Sequence, residues 1–239
     1  MPLQPLTPEQ REKRTNQYKK WAHWYPLVIT MVGAIVNVSF VESAIWNDIA
    51  LVSQVISCIL GTGFIAAFYF LFTRIIRRVS KDLLENKILF NGARKPSTRL
   101  LTKDDDTYTK EKKLKIISKL KNDGNWNAEI KIRDSKNKAY VDSINNATSH
   151  VLEATRPDDI LFDRNCGYGF ARNLFGGLLI DTLLSLVIMI LLLLHCNVYW
   201  EWFLYLLIIE IILLLIDAYM TYREGMDYAT RLYDVYLEC

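Results

Sequence analysis

Two long stretches of this 239-residue chain contain no lysine or arginine, although 29 such residues occur elsewhere. One lies between Lys20 and Arg74 and the other between Arg172 and Arg223. A soluble domain spreads its cations along its surface. A segregation this sharp therefore argues against the ordinary globular reading that 51% hydrophobic and 23% charged residues suggest on average. Cysteine is scarce, with four residues and no pair at metal-ligand spacing. The three histidines, His23, His150 and His195, are widely separated. Neither a nucleophile elbow nor a phosphate-binding glycine loop occurs, so no enzymatic signature and no cofactor motif stands out. The first 25 residues are polar and lack the short apolar core and small-residue cleavage site of a signal peptide.

The cation-free stretches hold the apolar mass. The first reads Pro26 to Val41 and Ile49 to Phe72, interrupted by Glu42 to Asp48; the second reads Leu174 to Leu194 and Trp202 to Tyr219, interrupted by a stretch holding His195, Asn197 and Glu201. A bilayer core of roughly 30 Å needs about 20 apolar residues in a helix, and four segments near that length are present. The expectation is an all-α membrane protein of four transmembrane helices in two hairpins. Short loops without Lys and Arg are translocated, which places both termini and the segment between the hairpins in the cytoplasm of a cell whose inner membrane the chain spans. The resulting layout is a cytoplasmic amphipathic helix (1–25), hairpin 1 (26–73), a basic and mainly helical cytoplasmic domain (74–173), hairpin 2 (174–219) and a cytoplasmic C-terminal helix (220–239). Trp21, Trp24, Tyr25 and Trp46 flank the first hairpin, and Tyr199, Trp200, Trp202, Tyr219 and Tyr222 flank the last helix, as an interfacial belt does. Only Cys196 faces out in this topology, so no intramolecular disulfide is expected.

Local signals divide the cytoplasmic parts. Thr7-Pro8-Glu9-Gln10 is a capping box with proline at the first helical position, and it predicts a helix from Pro8 toward Trp24. Nothing breaks the second membrane helix before Asn91-Gly92, so it is expected to continue as a stalk to about Lys87. A lysine-rich helix is expected from about Thr109 to Lys121, with Leu114, Ile117 and Leu120 forming its packing stripe. The alternation from Ala128 to Arg133 suggests one short strand, and a further helix from about Ala139 ends at Arg156-Pro157. The core of this domain is expected to be small and to lean on the stalk, the C-terminal helix or neighbouring subunits.

Polar residues at membrane depth are costly unless they meet a partner or water. Glu210 stands alone in a run of Leu and Ile; folding each hairpin about its loop brings Asn37, Gln54 and Ser57 to a similar depth and sets Asp181 opposite Asp217. Three readings stand. The groups are hydrogen-bonding glue between helices, or they line a water-filled ion path formed by several copies, or Asp181 and Asp217 form an intramembrane aspartyl dyad. Gly177-Leu178-Leu179-Ile180-Asp181 lacks the Gly-x-Gly-Asp pattern of such proteases, which counts against the third. A lone mid-membrane glutamate needs a polar surround, so a homo-oligomer of about three to six copies is expected.

The central segment is basic. Lys110, Lys112, Lys113, Lys115, Lys119 and Lys121, preceded by Arg94, Lys95 and Arg99, make a field that attracts nucleic acid or anionic lipid. Its run Ile160-Leu161-Phe162-Asp163-Arg164-Asn165-Cys166-Gly167-Tyr168-Gly169-Phe170-Ala171-Arg172-Asn173-Leu174, with Ser97-Thr98-Arg99-Leu100-Leu101, resembles small bacterial four-helix membrane effectors of two-component anti-phage systems of the Hailong type. In such a pair a nucleotidyltransferase supplies an oligonucleotide signal to the membrane partner. The resemblance implies an oligomeric effector whose opening depolarises the cell membrane, held in check or triggered by oligodeoxyadenylate. It also makes Arg164 and Arg172, at the cytoplasmic mouth, candidate phosphate contacts beside Arg94, Lys95 and Arg99. For Arg172-Asn173 a snorkelling pair at the membrane boundary fits equally well. A non-conducting membrane scaffold that recruits a partner through the cytoplasmic domain is the alternative.

Overall fold

The structure, a computed structural model, describes residues 4–33, 62–90, 93, 95–123, 132–194 and 200–239. Every element among them is a helix. The expected loop from Glu42 to Asp48 and most of the expected strand from Ala128 lie outside these residues; Ile132 and Arg133, which are described, are not in a strand.

Helix α1 (Pro8–Tyr18) starts as its sequence requires. The Gln10 amide donates to Thr7 Oγ1 at 3.3 Å and the Thr7 amide to Gln10 Oε1 at 3.0 Å. The rod continues through a π-helical segment, Lys19–Trp24, into helical residues 25–33. Trp21 and Trp24 point outward, about half exposed, while Ala22 is fully buried. Helix α2 (Thr62–Val79) likewise runs into a π-helical stalk, Ser80–Leu89, that ends at Phe90. A short buried helix α3 (Pro96–Leu100) follows, which the turn-rich sequence around it conceals.

Helix α4 (Lys110–Asn122) is capped by Thr109 as expected, but its inward stripe is Lys113, Ile116, Ile117 and Leu120. Leu114 is only half-buried. The correction has a physical cause: the Lys113 ammonium donates to the carbonyls of Thr102 and Asp105, so its long stem packs inward with its charge satisfied. Helix α5 (Lys138–Thr155) ends one residue before Arg156-Pro157.

Two long helices dominate the packing, α6 (Asp159–Leu194) and α7 (Trp200–Glu238). Their 36 and 39 residues correspond to lengths of about 54 and 58 Å. Each is therefore long enough to cross a bilayer and project beyond it. Each also contains an 18-residue window apolar enough to do so, of which only 28% and 22% is buried. A core helix of a soluble protein hides such a window. Here Leu183, Val187 and Ile190 on α6, with Ile208, Ile212 and Ile216 on α7, are bare on the outside of the bundle.

The other halves of α6 and α7 build a second, larger core. Leu161, Met226, Ala229, Leu232, Tyr233 and Tyr236 join Phe90, Leu100, Leu101, Ile116, Ile117, Leu120, Tyr140, Ile144 and Val151 in one buried cluster. Residues 220–239 are thus the continuation of α7 and the centre of that core. Asp158 fastens the entry to α6: its Oδ1 accepts from the Leu161 amide at 2.6 Å and its Oδ2 from Arg231 at 2.7 Å. Burial raises the pKa of this carboxyl, but Arg231 and the Leu161 amide outweigh it and hold the value below the ordinary one. A lowered folded value means that the stabilisation is complete above the unfolded pKa of about 3.9 and disappears as pH falls through the folded value. Asp158→Asn is therefore expected to cost about 1–2 kcal/mol near pH 6. Thermal scans should show its deficit against the wild type shrinking below about pH 4. A deficit independent of pH would contradict this.

Candidate functional site

Within the apolar half of the bundle, α6 turns Gly177, Asp181 and Ser185 inward at a spacing of four. Opposite them α7 turns Glu210, Asp217 and Thr221 inward. The Ser185 hydroxyl donates to Glu210 Oε1 at 2.8 Å. Asp181, one turn from Ser185 toward the start of α6, lies within electrostatic reach of Glu210. A β-carbon at Gly33 would come within 2.8 Å of Asp181 Oδ2, so the first helix also closes on this point. Asp217 is buried farther along α7, and its Oδ2 and the Thr221 hydroxyl have no hydrogen-bond partner among the described residues. No hydrogen bond joins Asp181 to Asp217 among them either. The register explains why: with Ser185 opposite Glu210, stepping four residues back along α6 reaches the level of Leu214. The acids form a staggered seam inside one chain rather than a facing dyad. Asn37, Gln54 and Ser57 lie outside the described residues.

Just below the seam, the Tyr-Gly-Phe-x-Arg-Asn element locks three helices together. The Tyr168 hydroxyl donates to Glu85 of the stalk, and Arg172 donates to the same carboxylate at 3.2 Å. Asn173 donates to the Ala22 carbonyl at 2.5 Å. Burial works against the Arg172 charge, yet the Glu85 carboxylate beside it lifts the guanidinium above its ordinary value. Burial and Glu85 together keep the Tyr168 phenol protonated. Both π-helical segments abut this collar, one through Ala22 and the other through Glu85. Gly169 makes room for Tyr18 and Ala22, and Gly225 for Tyr168.

The other candidate cations are distributed as follows. Arg172 is taken by Glu85, Arg99 faces the buried Asp105 carboxylate at 3.5 Å, and Arg164 forms an exposed pair with Asp227 at 3.0 Å. Lys95 is half-buried, and burial together with nearby Lys81 holds its amine below the ordinary lysine value. Arg94 lies outside the described residues. On α4, Lys112 pairs with Asp234 at 2.7 Å and Lys119 donates to the Tyr236 carbonyl at 2.7 Å, so two of the six lysines fasten α4 to α7. Lys110, Lys115 and Lys121 remain exposed.

Sequence reasoning did not single out Glu85, one of several charges in a mixed stalk, because its partner lies 87 positions away. Arg11 and Arg14 of α1 and Arg156 at the helix stop line one cleft, which no local pattern announces. Comparison with protein-family models, with curated proteins and with solved structures finds no match to the chain.

Proposed function

We propose that the chain is a four-pass inner-membrane protein with both termini in the cytoplasm, assembling as a homo-oligomer that passes ions through its acidic seam. Its cytoplasmic face controls the passage, and an oligonucleotide serves as the signal in anti-phage defence. One observation carries the conduction reading: three carboxylates, Asp181, Glu210 and Asp217, are buried on the two long apolar helices, and no lysine or arginine occurs between Arg172 and Arg223. Hydroxyls and amides are enough to glue helices together. A membrane-centred aspartate costs about 2.5–3.5 kcal/mol on insertion scales, so a stack of three acids is an expensive adhesive. Acidic groups spaced along the inside of a bundle attract cations and water, which is what a path requires.

Support for assembly comes from the buried Asp217 and Thr221 oxygens that lack a hydrogen-bond partner among the described residues. Support for an oligonucleotide signal is the likeness of the Ile160–Leu174 run to membrane effectors paired with a nucleotidyltransferase. The scaffold reading draws on the Ser185–Glu210 hydrogen bond, which glue also explains. Purified protein in liposomes separates the two: conduction predicts cation flux whose rate changes when short deoxyadenylate oligomers reach the cytoplasmic face. Liposomes that stay sealed with and without oligomer would leave the scaffold.

A further inference from the structure

A cleft of about 490 Å³ opens on the cytoplasmic side between α1, the end of α5 and the start of α6, with Tyr228 of α7 in its lining. Three guanidinium groups, Arg11, Arg14 and Arg156, and three rings, Tyr18, Phe162 and Tyr228, surround it. The guanidinium groups have different tasks. Arg14 is fully engaged: it donates to the carbonyls of Arg156 at 2.8 Å and Pro157 at 3.1 Å, bonds Asp159, and lies over the Phe162 ring at 5.2 Å. It is a positioning residue that holds the α5–α6 turn, and with it Arg156, against α1. Arg11 and Arg156 are exposed, and their side chains make no hydrogen bond or ion pair among the described residues.

Two unspent guanidinium groups at the edge of a concave surface suit a phosphate, which they can grip in a bidentate fashion. Aromatic rings beside them suit the flat face of a base. The lining also holds Glu153 and Asn165, whose oxygens and amide match the donors and acceptors on a base edge. The volume falls within the usual range of small-ligand sites, about 300–1,000 Å³. The geometry points to a nucleoside phosphate as the occupant of this cleft, either as a free mononucleotide or as the terminal nucleotide of a longer strand. This deepens the cytoplasmic control proposed above and rests on it for its biological purpose, but not for its chemistry.

The test is titration of the full chain in lipid nanodiscs with deoxyadenosine monophosphate, adenosine, ribose 5-phosphate and a short deoxyadenylate oligomer, using wild type and the Arg11→Ala/Arg156→Ala double variant. Both substituted positions are exposed, so folding should be intact. Binding of the nucleotide or the oligomer is expected to exceed that of adenosine and of ribose 5-phosphate by about tenfold or more, and the double variant to lose about tenfold. Binding of the mononucleotide identifies a free nucleotide, and variant-sensitive binding of the oligomer alone identifies a strand end. No binding by any probe, equal binding of ribose 5-phosphate, or binding that the double variant leaves unchanged would overturn the assignment. Flux is read separately: loss of nucleotide binding with intact cation flux sinks the cleft alone, and intact binding in sealed liposomes sinks conduction alone.

Discussion

Arg172→Ala is expected to destabilise the protein by about 3–5 kcal/mol, enough to lower the thermal midpoint sharply or to prevent recovery of folded protein. The cause is what the substitution leaves behind. Glu85 is 2% exposed, and its carboxylate accepts from both Tyr168 and Arg172. Removing the guanidinium strands a buried negative charge beside a phenol that is already protonated. Glu85→Ala strands Arg172 in the same way and should cost a similar amount. Arg172→Met combined with Glu85→Leu removes both charges at similar volume and should recover a large part of the loss, because a buried ion pair contributes less than its one-sided removal costs. Thermal scanning in detergent of the two single variants and the double variant checks this. A double variant as unstable as the sum of the singles would show that the pair is not the element being broken.

Gly176→Ala is the second large effect. The added methyl would fall on Ser80 Oγ and come within 2.6 Å of the Ile76 carbonyl oxygen. Ser80 cannot easily turn away, since its hydroxyl donates to that same carbonyl at 2.7 Å. A backbone oxygen does not yield, so α6 must move off the stalk. Overpacking of this kind costs about 1–3 kcal/mol or more, and small residues are what permit helices to approach so closely in a membrane. The expected result is a lower thermal midpoint and weakened protection of the stalk from proteolysis, whereas Gly167→Ala, whose β-carbon would meet only the end of the flexible Glu224 side chain at 3.0 Å, should be tolerated. Equal tolerance at both positions would contradict the close packing of α6 on α2.

The parts of this fold that were legible in sequence are those fixed by neighbours in the chain. Thr7 and Gln10 announce a helix start, Arg156-Pro157 a helix stop, and the absence of Lys and Arg between Arg172 and Arg223 marks the apolar lengths of two long helices. Tertiary pairings were not legible. The stretch before Asn173 shows no single apolar stripe because α6 is gripped on several sides, by Tyr18 and Ala22, by Glu85 and Ser80, and by Glu224 and Gly225, so its helix merges unannounced with the membrane segment. Lys113 read as a solvated charge because only the fold supplies two carbonyls to receive it. Depth matching sets Asp181 opposite Asp217, about a turn from the register that Ser185 and Glu210 fix, since the loop alone does not determine it.

The measurement that bears most directly on conduction is cation flux through liposomes carrying Glu210→Gln, Asp181→Asn or both, with assembly and insertion verified for each. Glutamine and asparagine keep the shape and a hydrogen-bonding capacity while deleting the charge, so Ser185 retains a partner. Conduction through the acidic seam predicts that each variant inserts normally and that flux falls about tenfold or more in the double variant, because the groups that attract cations along the path are gone. Flux indistinguishable from wild type in both single variants and the double variant would make the seam helix glue and contradict the account.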